Sequence, residues 1–184
     1  YELQCTVWED FRFSWNGVED ALKTLRVVWN IFAFASLYMG LDRFSPAKWP
    51  LEKTRGCMRP EDRWIISRTE SLKKLVSEEL ENFNIHLASR ALVEYALEDL
   101  SHWYVRLIRR RFWQERESID KMAAYSVLYH ALKSWLLLSA PIVPFITEKL
   151  YQLMIRSANT GALQSIHMCE YPRPKLELVD MRLE

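Results

Sequence analysis

"IHLASRALVEYALEDLSHWYVRLIRRRFWQER", residues 85–116, sets apolar side chains at spacings of three and four with no proline or glycine to break the run. At about 100° per residue, Leu92, Ala96, Leu97, Leu100, Tyr104, Leu107 and Ile108 fall on one side, which predicts a long helix with that side in a core. The linker that follows, "RES", is short enough to turn the chain back on itself. A helix with the stripe Met122, Tyr125, Tyr129, Leu132 and Trp135 therefore begins near Ser118 and runs antiparallel beside it. Pro141 and Pro144 end that helix, and Pro144 is placed to open another, "FITEKLYQLMIRS".

The helical spacing continues upstream. Asn16 and Glu19 have capping-box spacing, so a helix opens there and runs to about Gly40; its second half is apolar on nearly all sides, which puts it in the middle of a bundle. Three prolines and a glycine between Asp42 and Pro60 leave one long loop. Pro60 suits a first helical position, with Glu61 and Asp62 at the positive end of the dipole. The helix it starts reaches about Phe83, with Ile65, Leu72, Val76 and Phe83 inward and Lys73, Lys74, Glu78 and Glu81 solvated. After Gly161, "QSIHMCEYPRP" has the β-branched and proline character of a short extended segment lying against the bundle. The fold class is thus all-α, a bundle of about five helices with a short extended segment near the C-terminus.

At 184 residues and 49% hydrophobic, the chain can build one substantial core and is short for two independent ones. A formal net charge of +1 gives no global pull toward nucleic acid or a membrane, so any polyanion affinity must come from how charge is distributed. Three cysteines far apart, Cys5, Cys57 and Cys169, suggest neither a disulfide framework nor a zinc site, and fit a reducing, cytoplasmic setting. No metal site is expected: His167 and Cys169 stand two apart, but no second pair completes four ligands. The four histidines fall on different elements without a serine or cysteine partner, so no catalytic constellation forms. Residues 27–41 are too short and carry Asn30, and residues 134–146 are broken by prolines; neither reads as a membrane span. Beginning at "YELQ" and ending in "LVDMRLE", the chain reads like a piece of something longer.

Charge concentrates near the end of the long helix. From Trp103 to Arg116 there are five arginines (106, 109, 110, 111, 116) against Glu115, a local +4. Arg106, Arg109, Arg110 and Trp113 recur at spacings of three, one and three and so share a face beside the apolar one. A guanidinium grips phosphate with two hydrogen bonds and stacks on a base, and an exposed ring offers a platform for an unpaired base. That chemistry suits single-stranded RNA loops. The other reading of the spacing is a cation-rich helix C-terminus complementing the dipole, with Trp103 and Trp113 in the core. The dipole needs one or two cations, not five.

Several stretches together resemble the isoleucyl-tRNA synthetases of the archaeal and eukaryotic-cytosolic type. They are "WEDFRFSWNGV" at Trp8 to Val18, "RVVWNIFAFASLYMGLDRF" at Arg26 to Phe44, "RPEDRWIISRTESL" at Arg59 to Leu72, "VEYALEDLSHWYVRLIRRRFW" at Val93 to Trp113, "LLLSAPIVPFITEKLYQ" at Leu136 to Gln152 and "SIHMCEYP" at Ser165 to Pro172. The proline-rich stretch is shared with valyl and leucyl enzymes; the first combined with the fourth looks isoleucyl. The resemblance implies a class I anticodon-binding helix bundle over 1–184, with 1–15 leading in from a catalytic domain and 174–184 starting a further region. It implies isoleucine tRNA as partner, together with the catalytic and editing domains of the same parent chain, and no membrane. Arg63, Arg68, Trp103, Arg106, Arg109, Arg110 and Trp113 become its candidate RNA contacts. The family's H-I-G-H and K-M-S-K-S signatures are absent, and "KMAAY" at Lys121 shares only two letters with the latter, so this segment alone is not expected to catalyse. ATP with magnesium belongs to the parent enzyme, and this segment itself is expected to need no cofactor. The alternatives are the same bundle from a valyl-type enzyme, or a helical module for protein interaction or domain linkage.

Overall fold

The computed structural model describes residues 13–114, 118–159 and 161–184. Among them there are helices and turns and no strand. Helix α1 (Trp15–Leu41) opens at Ser14, two residues ahead of Asn16, because the Ser14 Oγ accepts the Gly17 N–H at 3.0 Å. The stretch to Pro60 is less irregular than its prolines imply: it contains the short helix α2 (Leu51–Thr54) and a 3₁₀ turn at Arg55–Cys57. Helix α3 (Pro60–Glu81) starts at the proline, and the Asp62 carboxylate accepts the Arg59 N–H at 2.9 Å.

The long central rod has three parts, α4 (Ile85–Glu94), a π-helical stretch (Tyr95–Val105) and α5 (Arg106–Phe112). Helix α6 (Ile119–Ser139) begins where Ser118 caps Lys121 N–H, and α7 (Pro144–Tyr151) continues into a π turn at Gln152–Arg156. Downstream, the expected extended segment is a 3₁₀ turn, Ile166–Met168, flanked by extended Ser165 and Cys169 rather than a strand.

The bundle's axis is α6. Every residue from Lys121 to Leu128 is buried, and Ala123, Ala124 and Ser126 let neighbouring helices approach on all sides. Against it pack α1, α2, α3, α4, α5 and α7. Helix α1, expected in the middle, lies instead at the flank: Val28, Ile31, Phe32, Ala35 and Met39 are buried, while Trp15, Leu22, Trp29 and Leu37 are exposed. Apolar composition alone could not tell a central helix from one with an apolar face left open. By length and composition α1 could also cross a membrane, which the shorter apolar stretch did not suggest; its buried stripe is packed on protein.

Two helix ends carry unusual residues. After α1, the Phe44 N–H donates to the Met39 carbonyl at 2.8 Å and the Arg43 N–H to Gly40 at 3.2 Å, with Arg43 at φ 49°. After α3, Asn84 N–H meets Glu79 and Phe83 N–H meets Leu80, with Phe83 at φ 60°. Both are Schellman caps whose left-handed position is normally glycine. A side chain there costs roughly 1–2 kcal/mol. Phe83, expected in the core, is 77% exposed because this turn swings it off the inward stripe.

Candidate nucleic-acid interface

The arginine-rich helix is held from beneath by its own fourth arginine, Arg111. Arg111 is 2% exposed, and its Nη1 lies 2.8 Å from both oxygens of the fully buried Asp62. Its Nη2 donates to the Asp120 carbonyl at 2.6 Å and stands 3.1 Å from the Asp120 carboxylate. Asp62 also accepts the Tyr104 hydroxyl at 2.7 Å, and Asp120 accepts a two-pronged contact from Arg59 at 2.8 and 2.9 Å. Asp42 completes the cluster by accepting Tyr125 and pairing with buried Lys121, which donates to the Gln114 carbonyl at 2.8 Å. Burial would raise the Asp42 carboxyl, but the hydrogen bonds from Lys121 and Tyr125 outweigh it and hold it below its ordinary value. The ends of α1, α3, α5 and α6 are thereby tied at one point.

Sequence spacing contained this answer. Arg111 lies three residues after Ile108 and seven after Tyr104, on the core stripe, so it never belonged with the outward group. Leu107, expected inward, is 42% exposed, since the π stretch rotates the following residues relative to an uninterrupted α-helix.

On the outer side Arg106, Arg109 and Arg110 are exposed, and none is in an ion pair among the described residues. The Arg109 guanidinium sits 5.5 Å from the Phe34 ring centre, and Phe34 stacks on Phe112 at 5.3 Å. Trp113 is 59% exposed and donates its Nε1–H to the Tyr38 hydroxyl at 2.9 Å, so one edge is fixed and a face stays open. Trp103, 52% exposed, stands edge-on to partly buried Trp64 at 6.0 Å and 77°. His102, Trp103, Arg106, Leu107 and Arg110 line one shallow cleft. Two open indoles thus flank three free guanidiniums. Ten residues separate the indoles, about 15 Å along an α-helix.

The two candidates on α3 are placed differently. Arg68 is bound to Asp99 at 3.0 Å and to Glu184 at 3.4 Å, and although burial alone would lower its pKa these carboxylates raise it. It ties α3 to the π stretch and to the C-terminal strip and does not join the outward face. Arg63 is exposed, reaches the Met58 carbonyl at 3.4 Å and borders a groove with Glu177 and Asp180, also apart from Arg106–Trp113. Glu115 and Arg116 lie outside the described residues.

A second cluster that the sequence reading missed sits in the core of α3. Lys73, expected in solvent, is buried and donates to Glu70 at 2.7 Å. Burial would raise the Glu70 carboxyl, but His130, Lys73 and the Lys175 N–H all donate to it and hold it at about 2. Burial lowers the His130 imidazole by more than Glu70 raises it. The Lys73–Glu70 spacing of three was the available signal. Among the described residues no three histidine, cysteine or acidic side chains gather as metal ligands.

Residues 62–184 match the family described as the anticodon-binding domain of tRNA ligase. Over 177 residues, 96% of this chain, the sequence is 43% identical to the isoleucine–tRNA ligase of Methanothrix thermoacetophila and 41% identical to that of Methanosarcina barkeri, and in each case it covers 17% of the relative. The Pyrococcus furiosus isoleucine–tRNA ligase is 43% identical over the same share of this chain, which covers 16% of it. The chain therefore spans about a sixth of the curated relatives it matches. Among solved structures, the Agrobacterium radiobacter K84 LeuRS, crystallised as a ternary complex with tRNA and LeuAMS, superposes with a TM-score of 0.64 at 18% identity, over 97% of this chain and 19% of that one. That likeness is one of fold. An all-α bundle with an outward arginine–tryptophan face, matched over two-thirds of its length by one family description and over 96% of it by ligase relatives, belongs to the anticodon-binding domains of the tRNA ligases.

Proposed function

We propose that this chain grips the anticodon arm of isoleucine tRNA within a parent isoleucine–tRNA ligase, positioning the tRNA for aminoacylation carried out elsewhere in that enzyme. The observation that carries the reading is the outward face of the α5 region: Arg106, Arg109 and Arg110 without carboxylate partners among the described residues, with Trp103 and Trp113 open on either side. Guanidiniums neutralise loop phosphates, and the indoles accept splayed bases. The ionic cluster under Arg111 keeps that face rigid, so little ordering cost falls on binding.

Arg63 and Arg68 play a lesser part in this reading; Arg68 is spent on holding the C-terminal strip against α3. The isoleucine assignment follows the names of the curated relatives; ATP with magnesium as the parent's requirement and the cytoplasm as its place belong to the same proposal and rest on the family resemblance of the sequence alone. The open apolar face of α1, with Trp15, Leu22, Trp29 and Leu37, favours contact with the parent's other domains as a second duty of the same bundle.

The test is a titration of the full-length ligase with isoleucine tRNA and with an anticodon-altered version, across a salt series. Binding that is salt-steep and drops with the altered anticodon supports a loop reader. Equal binding of both tRNAs removes base reading from this face, and salt-insensitive binding removes the phosphate contacts.

A further inference from the structure

The segment between α1 and α3 carries a cationic surface that the α5 face does not account for. We propose that Arg43, Lys48 and Lys53 form a second RNA contact, one that holds phosphates without reading bases, on the same tRNA; this rests on the reading above. Residues 43–55 contain these three cations and Arg55 against a single acid, Glu52. All three are exposed, and among the described residues none is in an ion pair. Arg55 is set apart, since it borders the groove that Glu177 and Asp180 line.

Three features distinguish this surface from an ordinary solvated stretch. Arg43 occupies the left-handed cap position of α1, where glycine would be free of strain, so the chain bears a backbone cost to present a guanidinium. Lys53 is fixed rather than free: its Nζ lies 4.7 Å from the Trp49 ring centre and donates to the Lys48 carbonyl at 3.3 Å. Lys48 approaches the same ring at 5.9 Å. The groove behind Arg43, which includes Ser36, Tyr129, Leu153 and Ser157, has no carboxylate in its lining.

The chemistry also says what this surface does not do. Trp49 is half-buried and its ring is engaged by lysine ammonium groups, leaving no platform for a base. Two lysines and one arginine suit point contacts with phosphates rather than base reading.

The experiment compares three full-length ligases, the parent, an Arg43→Gly/Lys48→Gln/Lys53→Gln variant and an Arg109→Ala/Arg110→Ala variant, each titrated with isoleucine tRNA and its anticodon-altered form over a potassium chloride series. Glycine accepts the φ of position 43, and glutamine keeps a stem over Trp49, so thermal unfolding should come at or slightly above the parent's temperature. For the triple variant the expected result is about tenfold weaker binding at low salt and a log–log salt slope shallower by about 2, with the ratio between the two tRNAs unchanged. Parental affinity and slope in the triple variant, alongside weakened binding in the α5 variant, would overturn this second contact and leave the first standing. Parental behaviour in both variants would overturn both, and a collapsed ratio in the triple variant would overturn the claim that this surface does not read bases.

Discussion

Arg110 and Arg111 are neighbours in sequence and opposite in duty. Arg111 is sealed against Asp62 and Asp120 through both of its Nη atoms; Arg110, Arg106 and Arg109 stand in solvent, and among the described residues no acid pairs with them. A milder contrast separates Lys73, buried on Glu70, from exposed Lys74 one position along, whose loose 3.9 Å pairing with Glu78 stays in solvent. A charge with a buried partner builds the scaffold, and a charge without one is available to a ligand. Function in this bundle is read from which cations lack partners rather than from how many there are.

The comparison can be broken most sharply at Arg111. Replacing Arg111 by Ala strands the buried Asp62 carboxylate and should cost about 3–5 kcal/mol, read as an early midpoint in chemical denaturation. Arg111→Lys should rescue little, because an ammonium cannot span Asp62 and the Asp120 carbonyl together. Stability close to that of the parent would show the cluster to be ornamental.

On the other side of the helix, Arg109→Ala with Arg110→Ala should leave unfolding within about 0.5 kcal/mol per site while lowering tRNA affinity. The salt slope should fall by about 1.5–2, as two phosphate contacts require. Trp113→Ala should weaken tRNA binding by about 1–3 kcal/mol, and Trp113→Phe by less, since a phenyl ring still stacks but cannot bond Tyr38. A Trp113→Ala protein that binds RNA normally would confine the interface to phosphates.

Smaller effects refine the scaffold side. Glu70 titrates near 2 in the folded chain against 4.5 for a free glutamate, so its stabilisation is complete above about pH 4.5 and is lost as pH falls toward 2. Glu70→Gln should flatten that part of an acid-denaturation curve; an unchanged curve would show that other carboxylates govern it. Phe83→Gly should raise stability by up to about 1 kcal/mol, by relieving the left-handed position of an exposed side chain. A loss instead would mean that Phe83 packs on something.

Much of the fold was legible in the sequence, for identifiable reasons. The rods around Leu92–Ile108 and Met122–Trp135 follow from periodicity, and Ser118 and Pro60 mark the starts of α6 and α3 by ordinary capping chemistry. Periodicity could not order the helices: α1 and α6 are similarly apolar, and only the small residues Ala123, Ala124 and Ser126 hinted that α6 takes neighbours on every side. The outward site was legible as a spacing of Arg106, Arg109, Arg110 and Trp113. Arg68 was not separable from them, because its partners Asp99 and Glu184 lie 31 and 116 residues away. Phe83 escaped for a local reason, a glycine-type turn built without glycine.

The π stretch from Tyr95 to Val105 works as a phase adjuster in the rod. It sets the angle at which everything downstream emerges. Closing it into a plain α-helix with the same number of residues would turn the segment beyond by about 100° for each extra residue the π turns absorb. Arg111 would then leave Asp62 and the guanidinium row would face another direction. The bearing of the outward arginine row is therefore set by the turns that run up to its first member, Arg106, a stretch of backbone that also aims Trp103.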